Sequence, residues 1–256
     1  MAREQRLVFG EVADAYQRAR PTYPPELFDA IIEITGVAPG DAVFEIGAGT
    51  GKATEGFVAR GLKVTAAEPS PGMAEVLRSR FPDVVVHESG FEDRALAGGA
   101  FALVAAAQSW HWVDPVVGPV KAAYVLRPGG WITLFWNRPD LDDSVWHDEI
   151  QPIYERVTPH MTHAKLSTTV TGNIERAVVQ LGRSRLFGPC VSKEFPWVGH
   201  YTTSEYIELL GTYSDHRILP NEQRNELHSA IAEWLDASGG VIDHPFVAEV
   251  VAAQLR

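Results

Sequence analysis

The sequence predicts a doubly wound α/β protein whose mostly parallel sheet carries a helical cap. Three observations lead there. Short apolar runs alternate with helical patterns through the first half of the chain, as they do in a parallel sheet covered on both faces. A strand–glycine–helix junction, Val43-Phe44-Glu45-Ile46-Gly47-Ala48-Gly49-Thr50-Gly51-Lys52, stands at the head of that pattern. After Trp136 helical stretches take over before strand-like runs return.

Taken in order, strands are predicted over 42–46, 63–67, 84–87, 101–107 and 131–136, with helices near 52–60, 73–80 and 115–126. The run Ala102-Leu103-Val104-Ala105-Ala106 is apolar throughout, which fits a strand buried on both faces. Asn137-Arg138-Pro139-Asp140 reads as a break. Trp146, Ile150, Ile153, Tyr154 and Val157 then recur at helical spacing. A further helix is predicted over 173–181, a strand over 191–198, helices over 203–210 and 221–237, and a last strand over 246–252. The chain of 256 residues reads as one domain with a helical insertion over 138–188 and no linker.

A net charge of −11 argues against nucleic-acid or anionic-membrane partners, which call for basic patches. The single cysteine, Cys190, excludes an internal disulfide. A charged N-terminus and the lack of any long apolar run point to a cytoplasmic protein.

Glycines 47, 49 and 51 let the backbone turn tightly and approach a ligand without a Cβ in the way. The helix that follows directs free N–H groups at the bound molecule. Glu68 closes the next strand, where a carboxylate can accept hydrogen bonds from ribose hydroxyls. These features describe a pocket for an adenosine-bearing cofactor. A dinucleotide loop has the spacing Gly-x-Gly-x-x-Gly; here it is Gly-x-Gly-x-Gly, preceded by Glu45. A carboxylate at that place repels a pyrophosphate and suits a cofactor carrying an ammonium and a sulfonium.

With these residues the chain resembles the class I S-adenosylmethionine-dependent methyltransferases, and more narrowly the small-molecule subgroup of trans-aconitate and ubiquinone-type enzymes. The resemblance rests on Phe9-Gly10, on Tyr16 to Pro24, on Glu45 to Gly51, on Glu68-Pro69-Ser70-Pro71-Gly72-Met73 and on Gly90-Phe91-Glu92-Asp93. It extends to Gln108-Ser109-Trp110-His111-Trp112 and Leu126-Arg127-Pro128-Gly129-Gly130. It implies a seven-stranded Rossmann-like sheet with the last strand antiparallel, and S-adenosylmethionine as cofactor. It also implies an N-terminal segment, residues 1–36, that covers the cofactor. The residues it assigns to the cofactor are Tyr16, Arg20, Glu45, Gly47, Ala48, Gly49, Thr50, Gly51, Glu68, Pro69, Met73, Gly90, Phe91, Glu92, Gln108 and Ser109. Two departures stand out: Ala102 where many members carry an acid, and Gly90 where an acid often meets the adenine amino group.

Methyl transfer from a sulfonium needs alignment and exclusion of water, and a base only when the acceptor arrives protonated. His111, after the fourth strand, is the candidate base, with Trp110 and Trp112 as packing surfaces for the acceptor and Asp114 capping the next helix. The insertion is expected to form the acceptor pocket, lined by Trp146, Tyr154, Met161 and Phe187, for a small organic acceptor. No metal site is expected at His160 and His163, which lack a third ligand, and Asp215-His216 is expected in a surface turn. Two other readings remain open from sequence: a protein that binds the cofactor without methylating, and an NAD-dependent oxidoreductase.

Overall fold

The computed structural model describes residues 13–140, 145–161 and 164–256; the expectations on Phe9, Gly10 and His163 lie outside them. Helices α1 (Ala13–Ala19) and α2 (Pro25–Thr35) precede the sheet. Strands β1 (Ala42–Ile46), β2 (Lys63–Ala67), β3 (Val85–His87), β4 (Phe101–Ala107) and β5 (Leu126–Pro139) follow, with α3 (Lys52–Val58) after β1, α4 (Pro71–Arg80) after β2 and α5 (Val117–Val125) after β4. Helices α6 (Val145–Val157) and α7 (Ala164–Ser184) lead to β6 (Val191–Thr202). Helices α8 (Thr203–Gly211), α9 (Ser214–Arg217) and α10 (Asn221–Ala237) lead to β7 (Val241–Gln254).

The strands form one seven-stranded sheet in the order β3-β2-β1-β4-β5-β7-β6. Strands β1 to β5 pair in parallel, and β7 runs antiparallel to both β5 and β6, as expected. The order reverses between β1 and β4, and it is at such a switch point that open α/β sheets bind ligands.

Strand alternation assigns the two faces. Phe44, Ile46, Val104 and Ala106 look toward α5 and α7, packing with Ala122, Val125, Ile174, Ala177 and Leu181. Val43, Leu103 and Ala105 look the other way, onto Leu27, Phe28 and Ile31 of α2 and Ala53 and Phe57 of α3. Strand β4 is the central one, and its continuous apolar run follows from burial on both faces.

Several boundaries differ from those predicted. Asn137-Arg138-Pro139 is strand, not a break, because β7 pairs with β5 as far as Pro139↔Phe246. The hairpin of β6 and β7 runs on to Thr202↔Val241. Its Val241-Ile242-Asp243-His244-Pro245 segment has no strand alternation in sequence, and pairing with β6 imposes it. Helix α7 is longer than predicted, and its second half lies on the sheet as the crossover from β5 to β6.

A third apolar cluster forms the cap. It joins Ala19 of α1, Ile150, Tyr154 and Val157 of α6, Tyr206, Leu209 and Leu210 of α8, and Leu227, Ile231 and Leu235 of α10. The cap is thus drawn from α6 and, in larger part, from the β6–β7 connection, beyond the expected 138–188. Both β5 and β6 end at the carboxyl edge of the sheet, so both connections start beside the switch point. A capping box fixes α8: the Thr202 hydroxyl accepts the Glu205 N–H and the Glu205 carboxylate accepts the Thr202 N–H.

His216 is not in a surface turn. It is 1% exposed in the cap core, with Nε2 3.2 Å from the Tyr154 hydroxyl and Nδ1 3.0 Å from His228 Nε2. His244 is wholly buried between the rings of Phe246 and Trp146. Burial pushes His216 down to about 3, helped by the neighbouring His228, and pushes His244 down to about 4, with His147 adding to it. Both are neutral when folded, whereas in the unfolded chain they take up protons near the ordinary value of 6.5. Their contribution to stability is therefore complete above about 6.5 and is lost as pH falls toward 4 and 3. The thermal midpoint is expected to drop between pH 7.5 and 4.5, and the drop should shrink in His244→Phe, which keeps the ring stacking. An equal drop in that variant, followed by circular dichroism, would remove His244 from this account.

Candidate functional site

At the switch point the loops following β1, β2, β3 and β4 open into one cavity of about 500 Å³, roofed by the cap. That is within the roughly 300–1,000 Å³ usual for small-molecule sites. Each loop brings its own chemistry.

After β1, Gly47, Ala48, Gly49 and Thr50 line the cavity. Gly47 has φ +63°, and a Cβ there would stand 2.7 Å from Cβ of Ser109. The loops after β1 and β4 cross so closely that only glycine fits. The Ser109 hydroxyl seals the crossing by donating to the Ile46 carbonyl at 2.5 Å. Gly51 does not line the cavity. Its φ is +90°, and a Cβ there would strike Phe81 and Leu77 at 2.6 and 2.7 Å, so its role is close packing of the loop onto α4. The Thr50 hydroxyl donates to Gln17 of α1 at 2.6 Å, and its carbonyl accepts from Arg80 at 2.7 Å. The N-terminal helix is thereby tied to the loop.

Glu45, expected to face the cofactor, does not line the cavity. On β1 it shares the face of Val43, under α3, where Thr54 donates to it at 2.6 Å. Burial raises its carboxyl to about 8, and the Glu68 charge acts in the same direction.

After β2, Glu68, Pro69 and Met73 line the cavity. Glu68 is 5% exposed. One carboxylate oxygen accepts the Gly49 N–H and the other the Ser70 N–H, each at 2.8 Å. Two backbone donors from two loops fix the carboxylate at the cavity wall. After β3 come Gly90, Phe91 and Glu92. Phe91 is buried against Phe44, and Glu92 accepts the Asp114 N–H at 2.9 Å. After β4, Gln108 adopts φ +54° and donates through its side chain to the Asn137 carbonyl, and Ser109 follows it at the wall.

His111 lines the cavity at an exposed rim, its ring 4.8 Å from that of Trp112. Trp110 turns away into the core and donates to Gln180, so of the two tryptophans only Trp112 meets the cavity. Asp114 accepts the N–H groups of Val116 and Val117 at the start of α5, the capping role expected of it. Trp146, Tyr154, Met161 and Phe187 do not line the cavity. Tyr154 and Met161 are cap core with Trp146 packed against them, and Phe187 belongs to the core under the sheet.

The rest of the wall comes from Tyr16, Arg20 and Tyr23 of the N-terminal segment, Asn137 near the end of β5, Asn173 of α7, and Tyr213 and Asp215 of the cap. Of these, sequence had assigned Tyr16 and Arg20 to the cofactor, with Tyr23 in the same N-terminal segment. Lys52, at the start of α3, also lines the cavity, and burial lowers its ammonium to about 8, with Arg80 adding to the effect. The glycine loop itself was the signal for Lys52. Nothing local marks Asn173, Tyr213 or Asp215.

Residues 44–134 match the family profile described as Methyltransferase domain. An uncharacterized methyltransferase of Mycobacterium tuberculosis is 40% identical over 164 residues, which are 61% of this chain and 65% of that relative. The chain thus spans just under two thirds of that relative's length. A methyltransferase-like protein of Schizosaccharomyces pombe is 29% identical over 227 residues, 87% of this chain and 83% of that protein. Among solved structures, a candidate type II methyltransferase from Anaeromyxobacter dehalogenans superposes with a TM-score of 0.63 at 21% identity, covering 93% of this chain and 97% of its own. A candidate methyltransferase from an antibiotic biosynthesis pathway of Anabaena variabilis gives 0.58 at 18%, covering 90% and 98%. These two establish likeness of fold.

The crossing at Gly47 yields a test. Gly47→Ala puts a Cβ into Ser109 and holds a non-glycine residue at positive φ, for an expected loss of about 1–3 kcal/mol. Urea denaturation reads it directly, and an unchanged midpoint would mean the loops part without cost.

Proposed function

We propose that this chain, whose residues 44–134 match the Methyltransferase domain profile, transfers a methyl group from S-adenosylmethionine to a small organic acceptor. The observation that carries the reading is Glu68: a carboxylate at the end of β2, held from both sides by the Gly49 and Ser70 N–H groups and lining the cavity. A carboxylate fixed at the end of that strand is placed to accept from the two hydroxyls of a ribose. Met73 and Phe91 line the same cavity and offer apolar surface to a purine, and the glycines of the first loop leave room for a chain passing close to the backbone.

S-adenosylmethionine supplies a methyl group already activated by its sulfonium. The protein's own part is then to align the acceptor and exclude water. The roof of Tyr16, Arg20 and Tyr213 supports both tasks. It is tied to the glycine loop through Gln17 and Thr50, and to the cap through Arg18, which donates to Glu208 at 2.6 Å. For an acceptor that arrives protonated, His111 at the rim is the base in this reading, with Trp112 beside it. Cavity size and the net charge of −11 favour a small acceptor over a nucleic acid.

Glu68→Ala is expected to weaken S-adenosylhomocysteine binding at least tenfold in calorimetry, since two charge-assisted hydrogen bonds are lost. Unchanged affinity would contradict the ribose role. A thermal shift with NAD and none with S-adenosylhomocysteine would turn the reading to the oxidoreductase alternative. A tight complex that yields no methylated product across a broad acceptor panel would turn it to a binding protein.

A further inference from the structure

The segment 212–215 wraps the Arg20 guanidinium. The Thr212 carbonyl accepts from its Nη2 at 2.8 Å. The Tyr213 ring lies 4.4 Å from its centre on one side, and Tyr16 stands 5.3 Å away. Asp215 follows in the same wall, where burial raises its carboxyl and the nearby Arg20 charge acts against that rise. Yet Arg20 and Asp215 form no ion pair with each other or with any described residue. The Nε of Arg20 is buried without a hydrogen-bond partner, and the Asp215 carboxylate accepts from the N–H of its neighbour His216 at 2.9 Å. Its place is fixed from behind, because His216 is locked to Tyr154 and His228 in the cap core.

Two opposite charges held apart by neutral partners in a half-apolar wall are costly unless a ligand completes them. Both line the cavity. We propose that Arg20 and Asp215 form a subsite for an ammonium–carboxylate pair, the guanidinium receiving the carboxylate and Asp215 the ammonium. The planar fork of Arg20 still has donors to offer a carboxylate, and the carboxylate of Asp215 has free lone pairs for an ammonium.

The inference rests on the cavity being the ligand site of the proposed reaction, and it names a chemistry with two sources. One is the amino-acid end of the cofactor; the other is an acceptor of amino-acid type. Lys52 lines the same cavity and is the competing partner for a cofactor carboxylate.

Calorimetry on the full chain separates these with S-adenosylhomocysteine and 5′-methylthioadenosine, which shares the nucleoside and sulfur but lacks the amino-acid end. Arg20→Lys and Asp215→Asn keep charge or volume, and methylthioadenosine binding reports that each variant is folded. If the pair receives the cofactor, both variants weaken S-adenosylhomocysteine at least tenfold and leave methylthioadenosine within about twofold. If it receives the acceptor, S-adenosylhomocysteine is unaffected, and glycine binds the wild-type S-adenosylhomocysteine complex but not the Asp215→Asn complex. Equal losses for both nucleosides, or no change together with no glycine binding, overturn the subsite. A wild type that binds neither nucleoside overturns the proposed function instead, and glycine binding to wild type against Asp215→Asn then decides the subsite alone.

Discussion

The site is organised around one buried carboxylate. Glu68 draws the Gly49 and Ser70 N–H groups toward itself, and so clamps the loop after β1 to the loop after β2. Neither donor has a place in a strand ladder, and a buried backbone N–H left alone costs about as much as a lost hydrogen bond. With the clamp in place Gly47 meets Ser109 across the switch point, and Thr50 is positioned to hold Gln17 of α1. The cavity wall, the crossing of loops and the attachment of the N-terminal helix thus follow from the same pair of hydrogen bonds.

The other half of the cavity comes from the cap, and its construction follows from strand direction. Because β7 runs antiparallel to its two neighbours, β6 ends at the carboxyl edge, and the long connection to β7 begins there. Helices α8 to α10 are thereby set above the loops at the switch point, and the row of Tyr154, His216 and half-buried His228 ties α9 and α10 to α6. Arg20 is where the two halves meet: it extends from the N-terminal segment into the cap and bonds the Thr212 carbonyl.

What sequence revealed of this divides by distance along the chain. The glycine loop, Glu68 and Gln108-Ser109 were legible because each stands immediately after a strand, and strand ends converge in any parallel sheet; Met73 was legible from the first turn of the helix that follows β2. Glu45 was misread for want of the strand's alternation. Phe44 and Ile46 take one face, so Glu45 must take the other, beneath α3 with Thr54. The aromatic and apolar residues Trp146, Tyr154, Met161 and Phe187 were read as a pocket, but large apolar groups in a helical layer go first to the core. Asp215 and Tyr213 had no signal at all. They reach the cavity because His216 is buried beside them, and that burial depends on Tyr154 and His228, far away in sequence.

The most direct measurement of the central claim is a crystal structure of the protein with S-adenosylhomocysteine. The account predicts both ribose hydroxyls within hydrogen-bond distance of the Glu68 carboxylate, with the Gly49 and Ser70 bonds to it retained. A nucleoside bound elsewhere in the cavity, with no ribose hydroxyl on Glu68, would contradict it.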